Sequence, residues 1–301
     1  MARWSNVSRT IPKAASRARR RALVATLAAI AAAFAALVVA GPAAAIKEPI
    51  VKEDFAPFAD CPTESSAVCI VSNTTGGEFK LGSKTVPIPE GTVIKLQGGL
   101  PLESYVGQTL IAPLDGKTLS ENPLTVPGGL TGIAGLGGEV TATAELAGPI
   151  EVNRGNLAIP VGPAVTLPLK VKLDNPVLGE SCYIGSDAEP VVLHLTVGKT
   201  APPAPAEPLE GHRNPIEYKD KKRLVYIPNN TLVDNNFAVP GVSGCGGALS
   251  AIIDPIVDLD TGLPAKAGES KVVMTASLEE TASKWAAKYK PKVKKAKKEK
   301  S

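Results

Sequence analysis

The chain has 301 residues, with 33 Lys and Arg against 29 Asp and Glu, 28 Gly, 27 Pro, four Cys and only 4% aromatic residues. So few rings exclude a core built on aromatics and argue against the platforms common at sugar-cleaving sites; without a groove-reading motif or a stacking surface, sequence-specific nucleic-acid binding is excluded as well. The formal charge of +4 does not make this a basic protein, because its charges are segregated along the chain.

Residues 1–45 carry Arg3, Arg9, Lys13, Arg17, Arg19, Arg20 and Arg21 and no acidic residue. An apolar run from Ala22 to Ala40 follows, interrupted only by Thr26, and Gly41-Pro42 breaks it just before Ala43-Ala44-Ala45. A basic start, an apolar middle and a small-residue Ala-x-Ala site after a helix breaker form an export signal. An uncleaved anchor is the competing reading, since about 19 apolar residues are enough to span a bilayer. Either way the basic flank puts the remainder outside. Arg20-Arg21 leaves both general secretion and twin-arginine export open.

Without residues 1–45 the chain has 26 basic and 29 acidic residues, net −3. Residues 284–301 hold nine Lys and one Glu, net +8, which leaves residues 46–283 with 17 basic and 28 acidic, net −11.

Four cysteines follow the signal: Cys61, Cys69, Cys182 and Cys245. An even set outside the cytoplasm is normally oxidised, and three pairings are open. The shortest closure joins Cys61 to Cys69 and leaves Cys182 for Cys245. On the chain-entropy scale these loops contribute about 2.6 and about 4.3 kcal/mol.

Downstream, the dominant period is two. VTATAEL sets Val140, Ala142, Ala144 and Leu146 on one face; LPLKVKL does so with Leu167, Leu169, Val171 and Leu173, and VVLHLTV with Val191, Leu193, Leu195 and Val197. These are half-buried strands, and FKLGSKTVPI, GTVIKLQ, RLVYIP and KVVMTASL add others. Turns are expected at Gly76-Gly77, Gly98-Gly99, Gly128-Gly129 and Gly137-Gly138. Many short strands without βαβ alternation predict an all-β protein, an antiparallel sandwich or a partly closed barrel.

One segment departs from this period. Leu249, Ile252, Ile253 and Ile256 have helical spacing, with Asp254-Pro255 read as a cap and first-turn proline, which predicts one short helix near 247–258 plugging an open end of the sandwich. The proline-dense stretch from Ala201 reads as a surface excursion over 201–222, because a disulfide set closed within one chain must cross it. Trp285 and Tyr289 stand at i, i+4 before a Lys-rich end, so a nascent helix passing into a disordered basic tail is expected over 284–301. The resulting organisation is a signal peptide at 1–45, a secreted β domain at 46–283, in one piece or two coupled lobes, and the tail.

Catalytic residues are not singled out. His194 lies mid-strand opposite the apolar face, and His212 lies in the Pro-rich excursion. Gly241-Val242-Ser243-Gly244-Cys245 lacks the final glycine of a nucleophile elbow. Cysteine and histidine spacings fail as a zinc site. Asp258, Asp260 and Glu269 suggest a calcium loop, but Leu263 occupies the position where the loop needs glycine. No cofactor and no metal are expected. The Lys-rich end, Lys284, Lys288, Lys290, Lys292, Lys294, Lys295, Lys297, Lys298 and Lys300, is the feature with a physical role. Near a negative surface each lysine contributes about 1 kcal/mol, weakened by salt.

Three stretches carry a resemblance: DCP through TTGGEFKLG at 60–82, NPVLGESCYIGS at 175–186, and VPGVSGCGG through IIDPIVDLDTGLPAKAGES at 239–270. Their glycine, proline and cysteine punctuation resembles a group of secreted proteins of high-GC Gram-positive bacteria of the actinobacterial type, generally without assigned function. That resemblance implies export, two disulfides and a β fold, and it supplies no active site; the Lys-rich end lies outside it. The expected function is a non-enzymatic structural or binding protein, secreted or associated with the cell envelope. Its tail would hold it at an anionic wall polymer or lipid surface, and signal cleavage would leave no transmembrane span. The rival is an extracellular hydrolase using carboxylates with a divalent cation. A β-barrel pore is disfavoured by prolines within strands shorter than the roughly 9–11 residues a span needs.

Overall fold

The computed structural model describes residues 50–101, 107–129 and 139–289. The export segment, the expected Gly137-Gly138 turn and the basic tail from 290 onward lie outside the described residues.

Fourteen described strands, numbered in chain order, form two antiparallel sheets. The first holds β1 (Val68–Leu81), β2 (Lys84–Pro87), β3 (Ile94–Leu100), β11 (Glu217–Lys219), β12 (Leu224–Asp234) and β14 (Lys271–Ala282), in the order β11-β12-β14-β1-β2 with β3 also on β1. The second holds β4 (Gln108–Thr109), β5 (Leu124–Thr125), β6 (Thr141–Leu146), β7 (Glu151–Val152), β8 (Val165–Asp174), β9 (Tyr183–Ile184), β10 (Val191–Leu195) and β13 (Val242–Ser243). Here β8 is central, with β6 and β7 along one edge and β9 and β10 along the other. The architecture is an open sandwich, not a closed barrel.

The two-residue period explains which faces meet. On β8 and β10, Leu167, Leu169, Leu173, Val191, Leu193 and Leu195 are buried, while His194 between them is exposed. Facing them from the first sheet are Ile70, Leu232, Val272 and Met274, all in one apolar cluster. At its start β1 is buried on both faces. Val68 and Ile70 join the main cluster, whereas Cys69 and Val71 join a second one with Phe58, Cys61, Leu224 and Ala286. A two-sided strand reads as a continuous apolar run instead of an alternation, which is why CIVS escapes a period-two reading.

Two expected glycine turns are strand interiors. Gly76-Gly77 lies within β1, at a bulge where the register against β14 shifts between Thr74 and Gly76. Gly77 has φ +117°, and a Cβ there would lie 2.0 Å from the Val273 carbonyl oxygen, so the bulge requires a residue without a side chain. Gly98-Gly99 lies within β3, where a Cβ on Gly99 would come 2.4 Å from the Cβ of Ser66. These glycines allow close approach of neighbouring chain; they do not reverse direction. The expected strand at GTVIKLQ accordingly runs later, from Ile94 through Leu100.

The described helices are short: α1 (Arg154–Ala158), α2 (Ser250–Thr261) and α3 (Ser283–Tyr289), with 3-10 turns at Lys52–Phe58 and Gly247–Leu249. Among the described residues, no helix is long and apolar enough to cross a membrane. Helix α2 occupies the expected segment but not in the expected way. Pro255 sits inside it, and Asp254 accepts N–H groups from Gly244 (3.2 Å) and Cys245 (2.8 Å) instead of capping. Its buried stripe runs through Ile253, Val257 and Thr261, while Leu249 and Ile252 are exposed. The helix braces the two sheets. Asp258 accepts from Val242 N of β13 at 2.8 Å, and the Thr261 carbonyl accepts from Ser83 N at the β1–β2 turn at 2.8 Å. An ion pair of 2.8 Å between Lys84 and Asp260 adds to that second attachment.

All four cysteines are bonded, Cys61 to Cys69 and Cys182 to Cys245. The first bridge ties the segment after the opening 3-10 turn to β1, and the second ties the start of β9 to the turn after β13. The Pro-rich stretch is fastened down. Thr200 N reaches the Leu209 carbonyl, Asn235 Nδ2 reaches the Glu207 carbonyl, and the chain then enters β11, paired with β12.

Candidate functional site

The feature that stands apart from ordinary packing is a cavity of about 150 Å³ between the sheets. Stacked sheets lie about 10 Å apart, a gap that inward side chains must fill. Here the inward positions of β6 carry Ala142 and Ala144, and that of β14 opposite the two bulges carries Ala276. Bulges in β1 and β12 both fall beside Ala276, with register shifts at Thr74/Gly76 and Ile227/Asn230. Alanines on both walls leave the midplane short of atoms. Around this gap the lining is mostly aliphatic, with Leu167, Leu193, Leu232 and Met274 among it, and of its polar residues Ser120 accepts from Lys95 N while Asn122 and Asn230 donate to the Val93 and Ile227 carbonyls.

Two charged side chains line the same cavity, Arg154 and Glu280. Arg154 opens α1, whose preceding residue Asn153 caps it by accepting from Asn156 N at 3.1 Å. Glu280 follows Val272, Met274, Ala276 and Leu278 in the inward phase of β14. Arg154 Nε donates to Glu280 Oε2 at 3.0 Å and its Nη2 donates to Oε1, a two-pronged ion pair joining the sheets. Side-chain exposures of 20% and 17% place the pair at the rim, within reach of solvent. Neither residue was singled out by motif. Carrying the KVVMTASL alternation two residues further would have flagged Glu280 as a charge on the apolar face.

The residues weighed from the sequence are dispersed. His194 is exposed on β10, and its backbone N–H donates to Asp234 Oδ2 at 2.6 Å. Burial pushes the Asp234 carboxyl above its ordinary value, opposed by the N–H groups of Asn236 and His194. His212 is exposed, with Nε2 3.2 Å from Asn214 Oδ1. Ser243 is exposed in β13 against Tyr183 of β9, at a turn flanking a disulfide. The three carboxylates of the calcium-loop pattern have separate duties. Asp258 holds Val242 N, Asp260 pairs with Lys84, and Glu269 accepts from Lys266 N at 2.8 Å. The first two lie in the helix α2, not in a loop. Burial raises the Asp258 carboxyl despite that hydrogen bond, and the nearby Asp254 adds to the rise. Among the described residues, no group of three or more His, Cys, Asp or Glu side chains is placed to hold a metal ion.

Of the basic C-terminal residues, Lys284 and Lys288 are described, and Lys290, Lys292, Lys294, Lys295, Lys297, Lys298 and Lys300 lie outside the described residues. The two lysines belong to folded structure. Ala286 of α3 is fully buried, and Tyr289 packs tilted against Phe55 with ring centroids 5.0 Å apart. Around Trp285 sit Arg223 at 4.6 Å, Lys284 at 5.1 Å and Lys288 at 5.7 Å, and Lys219 lies 4.1 Å over Tyr226. Helix α3 and the β11–β12 hairpin therefore present cations and rings together, at the point from which the lysine-rich end departs.

Fold and site together define a two-disulfide antiparallel β-sandwich with a largely apolar cavity between its sheets and an ion pair in the cavity lining. No family model matches the chain, and no curated protein or solved structure is significantly similar to it.

Proposed function

We infer that the chain is a secreted, non-enzymatic binding protein that takes an apolar or amphipathic small molecule between its sheets and is held at an anionic envelope surface by its basic C-terminal end. The cavity carries this reading. Natural interiors are packed as tightly as organic crystals, so a void lined mainly by aliphatic side chains is a place where an apolar group binds. Two disulfides and the export-type N-terminus support an oxidising, extracellular setting. The resemblance to secreted actinobacterial proteins implies export, with the leader at 1–45 removed, the β domain at 46–283 and the basic end at 284–301. Retention is supported by charge: nine lysines follow a body of net −11, and the first two flank Trp285 on a basic face.

The cavity holds about five groups of roughly 30 Å³ each, the volume of one water in the liquid. Five methylenes at about 0.8 kcal/mol each correspond to a dissociation constant of about 1 mM. Calorimetric titration of the full chain with hexanol and octanol is expected to show binding on this scale and a concentration-dependent rise in Tm. The Ala144→Leu variant, which fills about 90 Å³ of that space, should show weaker binding and a smaller rise. Absence of binding to the unaltered protein, or equal binding to both, sinks the reading.

For retention, the cell-bound fraction of the full chain is compared with that of a chain ending at Tyr289, in low and high salt. Truncation at Ala282 would also remove Trp285, Ala286 and Tyr289 and so disturb the fold. Salt-sensitive loss of the shortened chain is expected, and equal, salt-independent fractions reject retention.

A further inference from the structure

We propose that the cavity's ligand is a single-chain amphiphile with a carboxylate head, and that this head exchanges with Glu280 for the guanidinium of Arg154. The proposal rests on the cavity being a ligand site and names what it takes.

A carboxylate already occupies the position in question. Glu280 presents both oxygens to Nε and Nη2 of Arg154 at the cavity rim, the planar fork that suits arginine to carboxylates more than lysine. The guanidinium is thus aimed and spaced for that group, and its own chain supplies the stand-in. The rim is solvent-reached on both sides, with side-chain exposures of 20% and 17%, so exchange leaves neither carboxylate stranded in an apolar interior. A displaced Glu280 can turn outward into water from its place near the end of β14.

The shape of the space selects the rest of the molecule. Its volume of about 150 Å³ takes one alkyl segment and excludes the paired chains of a phospholipid. Walls of Leu167, Leu193, Leu232 and Met274 offer no hydrogen-bonding pattern along the chain. A medium-length acyl chain, with about five carbons between the sheets and the remainder crossing the rim to its carboxylate, satisfies both parts. A neutral alcohol of equal length satisfies only the apolar one.

Octanoate and octanol are titrated into the unaltered full chain, Glu280→Gln and Arg154→Met, with unfolding curves confirming that each variant is folded. Arg154→Met is expected to weaken octanoate by about ten- to a hundred-fold, the range for losing charge-assisted hydrogen bonds, while octanol changes by less than about three-fold. Glu280→Gln should tighten octanoate by about ten-fold, because the internal competitor is no longer charged, and should leave octanol unchanged. Octanoate affinity indifferent to Arg154, an equal loss for octanol, or weakening by Glu280→Gln each overturns the proposal. Binding of octanol without any head-group discrimination removes the carboxylate claim and leaves the cavity reading standing. If neither compound binds, both fall together.

Discussion

Replacing Ala144 by Leu gives opposite signs for a real void and a filled core. Ala144 lies opposite Val171 in the β6–β8 ladder, and both line the cavity. At about 24 cal/mol per Å³, an empty space of that size forfeits about 3.6 kcal/mol relative to a filled core. Leucine adds three carbons, together about 90 Å³ at the volume share of a water molecule, which fits within about 150 Å³. Burying them gains about 2.4 kcal/mol. Ordering the longer side chain costs about 0.5–1 kcal/mol. A net stabilisation of about 1.5 kcal/mol is expected, which for a domain of this size raises Tm by about 3–6 °C. Urea unfolding with and without octanol measures it, and the ligand-dependent part of the shift should shrink as the variant fills the space. Were the interior already packed, leucine would cost about 1–3 kcal/mol through displaced rotamers. A fall in stability of that size refutes the void and the functional reading built on it.

Asp234→Asn tests the buried carboxylate that receives His194 N and Asn236 N. Burial holds its pKa above the ordinary value, so the folded state binds the proton more tightly and stability gained through Asp234 grows as pH falls through that raised pKa. The Tm advantage of the unaltered protein over the variant should therefore widen from pH 7 towards pH 4, and a constant or narrowing gap contradicts the assignment. Removing the Cys182–Cys245 bridge by paired alanines should cost about 4 kcal/mol in urea unfolding, and removing Cys61–Cys69 about 2.6, because the closed loops differ in length. A reversed order would show that local packing outweighs loop closure. Asp254→Ala leaves the Gly244 and Cys245 N–H groups without their acceptor and should cost about 1–3 kcal/mol in the same assay, with no change in octanol affinity.

Strands exposed on one face were legible because each alternating residue reports one side of the sheet, as at β8 and β10. What stayed hidden had a second packing partner. At β1 the opening 3-10 turn and α3 cover the outer face, so Cys69 and Val71 are as buried as Ile70 and the alternation vanishes. Glycine punctuation misled for a related reason: Gly77 and Gly99 serve neighbouring backbone and side chains that lie far off in sequence. In α2 the apolar residues occupy more than one stripe, and spacing alone could not tell that Val257, and not Ile252, would face the core. The cavity was hidden more thoroughly. An alanine at an inward position of VTATAEL fits a half-buried strand equally well whether a bulky residue stands opposite or Ala276 does.

A sandwich with alanines on both inner walls should pinch shut at its middle unless something sets the spacing elsewhere, and the fold supplies that spacing at its perimeter. At one edge Thr196 and Val233 exchange backbone hydrogen bonds and Asp234 reaches across to His194, locking β10 to β12. At another side α2 is bonded to β13 through Asp258 and to the β1–β2 turn through Thr261 and Asp260. Arg154 and Glu280 make a third link, and it alone of the three is part of the cavity lining. Backbone pairing and a packed helix cannot open without breaking secondary structure, whereas the guanidinium fork can exchange one carboxylate for another and remake both hydrogen bonds. The link that must yield for a ligand to enter is thus the one that can be remade with the ligand itself, and the two that hold the sheets apart can stay closed while it does.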